Sequence, residues 1–288
     1  MRNSFCNCKN NTQIITIGTK NSFQIKSCKI CGHGYVSNEI SNKFLEDYYA
    51  NARQDENYKD DLSKQSFPGS KTDALRFIKL FKKYKKDISS FLEVGAGWGY
   101  ASEFAFNLGW SISAIEFSEK CVSSIEERTW GEGDIQNVSY EDFEPKNIKL
   151  FDAILMSQVL EHAIDPIKWL LKTNKLLKKN GLLIVAVPQF KGFYKFFGLK
   201  DPFICPPEHL NFFTKKSIVI ALKQSGFKVI FKKGFSRIPF FSIWKKKTNN
   251  KFLARLIYEF LKIFFFISDI AEYSMIQYVV AEKIENKN

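Results

Sequence analysis

From residue 90 onward the chain alternates short apolar runs with amphipathic stretches. Residues 91–94, 111–115, 151–156 and 182–187 are apolar runs of strand length. Between them, residues 100–108, 119–128 and 164–177 carry their apolar positions at helical spacing. Pro188 closes the fourth run, and a helix over 217–225 ends at Gly226, a residue suited to the C-cap. Two further strands are expected at 227–232 and 276–281. Strands alternating with helices are covered on both faces, which predicts an α/β fold, a Rossmann-like doubly wound sheet over residues 89–288. Insertions at about 190–210 and 239–272 interrupt it.

The first 88 residues follow other patterns. Residues 39–88 read as a polar helical segment, with Leu75, Ile78, Phe81 and Tyr84 marking one apolar face. Tyr48 and Tyr49 are candidates to close over a bound molecule, with ordinary packing as the alternative. Residues 1–38 hold Cys6, Cys8, Cys28 and Cys31 around two expected strands, 14–17 and 23–25. Two cysteine knuckles bracketing a hairpin make a small zinc-ribbon-like module, because four thiolates satisfy tetrahedral zinc and the metal stands in for a core. The first knuckle has one intervening residue where two is usual, so unligated thiols are the alternative. His33, between Gly32 and Gly34, is read as solvent-facing.

Composition adds limits. Apolar residues make up 45% of the 288, enough for a substantial core. The formal charge of +13 suits nucleic acid, anionic membrane or a phosphorylated substrate, but the abundance of Lys, Asn, Ile and Phe fits a biased coding sequence equally well. The start of the chain lacks the apolar segment of a secretory signal. The longest apolar stretch, 256–271, is broken by Glu259, Lys262 and Asp269. A cytoplasmic protein is expected, with peripheral contact at the inner membrane face as a further reading, and its cysteines should be thiols or metal ligands.

The run Glu93-Val94-Gly95-Ala96-Gly97-Trp98-Gly99 follows the first strand of the alternating region and opens its first helix. Glycines there let backbone amides approach a ligand closely. Glu93 would repel a pyrophosphate but suits a cationic amino-acid tail. Glu116 ends the second strand, where a carboxylate can take both ribose hydroxyls, and Asp134 follows where an adenine amino group would lie. Taken singly these acids read as surface charges; their order and spacing make them a site for a cationic nucleoside.

With those motifs in place, residues 89–235 resemble class I S-adenosylmethionine-dependent methyltransferases. The resemblance runs through LEVGAGWG, AIEFS, GDI, FDAILMSQVLEHAIDP, LLKKNGLLIVAVPQF, EHLNFFTKKSI and SGF. It implies S-adenosylmethionine as cofactor, with Glu93, Gly95, Ala96, Gly97 and Gly99 at its methionine end and Glu116 on the ribose. It also puts Asp134 near the adenine and Ser157 and Gln158 beside the cofactor. Ubiquinone-biosynthesis O-methyltransferases carry a glutamate three residues before their Glu-His pair, in a metal-linked motif. Gln158 stands there in this chain, so no catalytic divalent ion is expected.

The candidate bases are few: His33, His162 and His209. Enzymes that methylate deoxysugars at carbon combine an N-terminal cysteine zinc module with a Glu-His pair after the fifth strand, linked to proton abstraction. Glu208-His209 resembles that pair, which implies catalytic roles for Glu208 and His209, with His162 as a second candidate. The alternative is that both histidines hold loops. Lys191, Lys195 and Lys200 lie among aromatic residues in 190–203, a lid composition that suits a sugar, a sugar nucleotide or a lipid-linked phosphosugar, and also single-stranded nucleic acid.

The expected acceptor is a sugar or sugar nucleotide in surface-polysaccharide or glycan biosynthesis. RNA is the alternative, disfavoured because Pro188-Gln189-Phe190 replaces the amino-methylation motif Asn/Asp-Pro-Pro-Tyr. An inactive adaptor at a membrane is the third reading. Oligomeric state is not legible. The stretch 239–271 is expected to form a helical pair covering the sheet or a dimer contact, with a membrane interface as its alternative.

Overall fold

The computed structural model describes residues 13–45, 47–48, 70–146, 150–237 and 247–284. Three strands come first: β1 (Ile14–Lys20), β2 (Phe23–Cys28) and β3 (Gly34–Val36). Asn21 and Ser22 alone make the β1–β2 reversal, both at positive φ (50° and 67°), the backbone that a tight hairpin requires. Both strands therefore run longer than their apolar cores suggest. Cys6 and Cys8 lie outside the described residues, as do Tyr49 and most of the segment between 46 and 69.

Helix α1 (Ser70–Tyr84) leads into β4 (Ser90–Val94), α2 (Tyr100–Phe106), β5 (Ser111–Ile115), α3 (Glu119–Arg128) and β6 (Asp134–Gln136). Next come β7 (Phe151–Ser157), α4 (Pro166–Leu176), β8 (Leu177–Pro188), β9 (Asn211–Phe212), α5 (Lys215–Gln224), β10 (Phe227–Phe235), α6 (Lys251–Ile270) and β11 (Ile276–Lys283). Helix α4 starts two residues later than its apolar pattern suggests. Asp165 caps it, accepting from Ile167 N and Lys168 N, and Pro166 occupies the first turn, where its missing N–H costs nothing.

Seven strands form one sheet in the order β10-β11-β8-β7-β4-β5-β6. The five from β8 to β6 are parallel, and β11 and β10 add antiparallel at one edge. Helices cover both faces, as the alternation predicts. Phe77, Ile78 and Phe81 of α1 and Ala101 and Ala105 of α2 pack on one face. Leu170 of α4 and Ile218, Ala221 and Leu222 of α5 pack on the other. The chain winds outward from β4 to β6 and returns on the other side of β4 at β7. The carboxyl ends of β4 and β7 therefore flank the topological switch point, where open sheets of this kind bind ligands.

Four strands form a second sheet. Its order is β1-β2-β3-β9, and β9 comes from the segment that follows β8. Gly34 pairs with Phe212 and Tyr35 with Asn211. Gly34 permits this approach: a Cβ there would lie 2.9 Å from the Phe190 ring and 3.1 Å from Phe212. Ile25 and Val36 share one apolar cluster with Ile204, Leu210 and Phe212. The N-terminal hairpin thus packs onto the segment between β8 and α5.

One expectation is corrected here. His33 is fully buried, stacked on Tyr35 at 6.1 Å and against Phe213 at 5.2 Å, because the second sheet folds it onto α5's approach loop. Part of the 239–272 insertion lies outside the described residues; residues 247–248 are helical, and the long helix follows from Lys251. Helix α6 buries only Ala254 and Phe265, and most of its apolar side chains face outward.

Candidate functional site

The turn after β4 carries the glycines. Gly95, Gly97 and Gly99 all have positive φ (64°, 52° and 72°). At Gly95 a Cβ would meet Val159 Cγ2 at 2.5 Å, so the loop lies against the end of β7. At Gly97 no atom lies within 4 Å of where a Cβ would be. The backbone there has open space on its outer side.

The acids around this loop have distinct partners. Glu116 is half-buried and accepts from Gly97 N at 2.8 Å and Ser118 N at 3.0 Å, so its carboxylate joins the loop to the end of β5. Glu93 is buried, and its Oε2 accepts from Ser102 N at 2.8 Å and Ser102 Oγ at 2.6 Å. Burial raises the Glu93 pKa to about 7, against the opposing pull of the Ser102 bonds. This residue ties β4 to the first turn of α2, beneath the loop.

Asp134 lies on the strand beside β5. It opens β6, level with Ser113 and two residues short of the carboxyl end. Its carboxylate accepts from Gln136 Nε2 and Lys146 N, both at 2.9 Å. It braces the following loop, while Asn137, just past the strand, donates to Glu116 O at 2.7 Å.

Ser157 ends β7, and Gln158 follows at φ 60°, with its backbone N–H donating to Ala186 O at 2.7 Å. Val159 touches Gly95, and the next three residues, Leu160–His162, form a single 3₁₀ turn. That turn carries the site from the glycine loop toward the histidines.

His162 and His209 meet edge to face, 4.9 Å between ring centres. His162 Nδ1 lies 2.8 Å from Glu208 O, and His209 Nδ1 lies 2.8 Å from Phe203 O. Carbonyl oxygens only accept, so each ring holds a proton on Nδ1; in neutral His209 this makes Nε2 the accepting nitrogen. Burial pushes the His162 pKa down to about 3, with His209 adding to the effect, and burial also lowers the His209 pKa. Both imidazoles are neutral at physiological pH. Tyr48 donates its hydroxyl to Glu208 Oε1 at 3.3 Å, which brings the N-terminal segment to this pair.

Glu161 is a residue that sequence reasoning passes over. It is buried, neither carboxyl oxygen has a hydrogen-bond partner among the described residues, and burial raises its pKa to about 8. Glu161, His162 and His209 each bring one ligand-type atom within 4.8 Å of the others. Cys205, by contrast, is no nucleophile: burial and then the nearby Glu208 raise its pKa to about 11.

The expected lid is a 3₁₀ segment, Phe193–Lys200, kinked at Gly198. With Ile17 of β1 it bounds a cavity of about 170 Å³ lined by Lys191, Tyr194, Lys195 and Asp201. Phe190, Asp201 and Ile204 are shared with a smaller recess that His209 lines. Lys20 Nζ donates to Asp201 O at 3.1 Å and Asn21 Nδ2 to Pro206 O at 2.9 Å, which fastens the hairpin to the lid.

In the N-terminal module, Cys28 and Cys31 are buried. Ile30 N donates to Cys28 Sγ at 3.3 Å and His33 N to Cys31 Sγ at 3.5 Å.

Known proteins share parts of this geometry. A family model described as "Methyltransferase domain" matches residues 66–231. A ubiquinone biosynthesis O-methyltransferase of Caulobacter vibrioides is 34% identical over 98 residues, 33% of this chain and 39% of that protein. The match thus spans well under half of that relative's length. A protein with the same description from Ruegeria is 28% identical over 174 residues, 57% of this chain and 69% of that protein. Among solved structures, the 1,6-didemethyltoxoflavin-N1-methyltransferase of Burkholderia thailandensis, with 1,6-didemethyltoxoflavin and S-adenosylhomocysteine bound, superposes with a TM-score of 0.55. That likeness covers 88% of this chain and 96% of the other at 13% identity, and it shows the shared fold.

Proposed function

Because the chain belongs to the methyltransferase domain family, we propose that it transfers a methyl group from S-adenosylmethionine to a hydroxyl-bearing small acceptor. The observation that carries this reading is the continuity of the site. The open glycine loop lies against Val159, and the turn that follows leads directly to a neutral His162–His209 pair. The cofactor, when bound, supplies a methyl already activated on a sulfonium. Gly95, Gly97 and Glu116 would hold its amino-acid and ribose parts, with Ser157 and Gln158 alongside. Its adenine end would lie toward Asn137 rather than Asp134.

His209 acts as the base. With the cofactor bound, the acceptor hydroxyl would face its activated methyl group, and Nε2 of His209 would take the hydroxyl proton. Glu208 orients the neighbouring groups through its carbonyl on His162 and its carboxylate on Tyr48. For the acceptor, a sugar or sugar nucleotide is supported by Lys191, Lys195 and Tyr194 around the lid cavity. A ubiquinone precursor, a phenol, is the second reading, supported by the likeness to ubiquinone biosynthesis O-methyltransferases. Cys28 and Cys31 fit half of a structural zinc site, with Cys6 and Cys8 as the other proposed ligands.

Calorimetry with S-adenosylmethionine and S-adenosylhomocysteine tests the first claim; absence of binding to both defeats it. Turnover on panels of sugar nucleotides and of phenols then separates the two acceptor readings. A chelator added to the purified enzyme separates base from metal chemistry. Turnover that survives chelation supports His209 as base, whereas loss restored by a divalent ion moves the role to the Glu161, His162 and His209 set. Metal analysis of the full chain, expected to find zinc that a Cys28→Ser/Cys31→Ser variant loses, tests the ribbon.

A further inference from the structure

Helix α6 presents an unusual outer face. Phe252, Leu256, Phe260, Ile263, Phe266 and Ile267 are each more than half exposed. The inner face is anchored: Phe265 packs on Phe193 at 5.0 Å, with Leu261, Met275 and Ile276 in the same cluster. A basic flank runs beside the apolar stripe through Lys251, Arg255 and Lys262, the last two sharing Glu259. No helix among the described residues is long and apolar enough to cross a membrane.

The apolar surface continues onto the lid. Phe193, whose ring also meets Phe264 at 5.9 Å, opens the segment that carries Phe196 and Phe197, 83% and 53% exposed. Lys195 lies over the Tyr273 ring at 3.8 Å, just beyond the end of α6. Helix and lid therefore form one exposed aromatic surface with lysines at its border.

We infer that this surface seats the protein on an anionic lipid bilayer, with α6 lying in the interface plane. An outward apolar stripe with a basic flank is the signature of an interfacial helix. Charge selects the occupant. The chain carries +13, so a second copy would bring the same positive field, whereas anionic headgroups complement it. Seating the helix also turns the lid and its cavity toward the membrane. The inference stands apart from the acceptor reading, because its test needs no turnover.

The test is co-sedimentation of the full chain with vesicles of phosphatidylcholine, alone or with about 30% phosphatidylglycerol. Binding to the anionic vesicles is expected, weakened several-fold at about 0.5 M salt, with little binding to neutral ones. The Phe260→Glu/Ile263→Glu variant should bind roughly tenfold less, with an unchanged melting temperature and unchanged S-adenosylhomocysteine affinity. Absence of anionic-vesicle binding, or equal binding by the variant, overturns the inference. So does a stable dimer in solution that the same variant dissociates, since a second copy would then occupy the face. A Phe266→Glu variant gives an independent reading should the double variant fail to fold.

Discussion

On the cofactor side, Glu93 reaches nine residues to Ser102, and Glu116 reaches back nineteen to Gly97. On the acceptor side, Tyr48 reaches 160 residues to Glu208, and Thr214 reaches back 183 to donate to Cys31 O. The first region is made by neighbours in the chain and by one parallel sheet. The second is stitched from four distant segments: the hairpin, residue 48, the turn after β7 and the lid.

The sharpest way to break this comparison is His209→Ala. Turnover should fall about a hundredfold while cofactor affinity stays as it was, measured by steady-state kinetics beside calorimetry. A parallel loss of cofactor binding would show that the two sides are one unit. Next is Asp152→Asn. Asp152 Oδ2 accepts from Lys178 Nζ at 2.9 Å and from the backbone and hydroxyls of Ser89 and Ser90. Burial alone would raise its pKa; these bonds outweigh it and lower the value to about 2. A depressed carboxyl pKa stabilises the fold above the ordinary value of 3.8 and loses that contribution as pH falls toward about 2. Denaturant unfolding at neutral pH should show a loss of about 2 kcal/mol, and the variant should have a flatter acid limb.

Gly95→Ala should come third. Positive φ and the contact with Val159 strain any side chain there, so cofactor Kd should rise about tenfold with the fold intact. The smallest effect belongs to Glu161. Its raised pKa means that the protonated form is the stabilising one, present below 4.5 and lost as pH rises through about 8. The melting temperature should drop by roughly 2–4 °C between neutral pH and pH about 9, and Glu161→Gln should remove that drop.

What can be read in advance follows the same division. The alternation from residue 90 predicts the sheet because each strand and helix declares itself within a few residues. The glycine loop and Glu116 are legible for the same reason. The height of Asp134 along β6 is not, because it depends on register against β5, and register is a relation between strands. His33 looks exposed between two glycines, and only Tyr35 on the same sheet and Phe213 from across the chain explain its burial. The outward face of α6 is hidden for a related reason: apolar composition says that a helix needs a cover but not where the cover is.

The pairing of β3 with β9 has a temporal side. A chain made from its N-terminus exposes the first hairpin early, yet the sheet that completes it waits for Asn211 and Phe212 to emerge. By then β4 to β8 are already available to one another. The glycine loop can take shape on a nascent chain, and the hairpin is held in reserve until the lid arrives. The second sheet is therefore closed only after the strands around the glycine loop have been made.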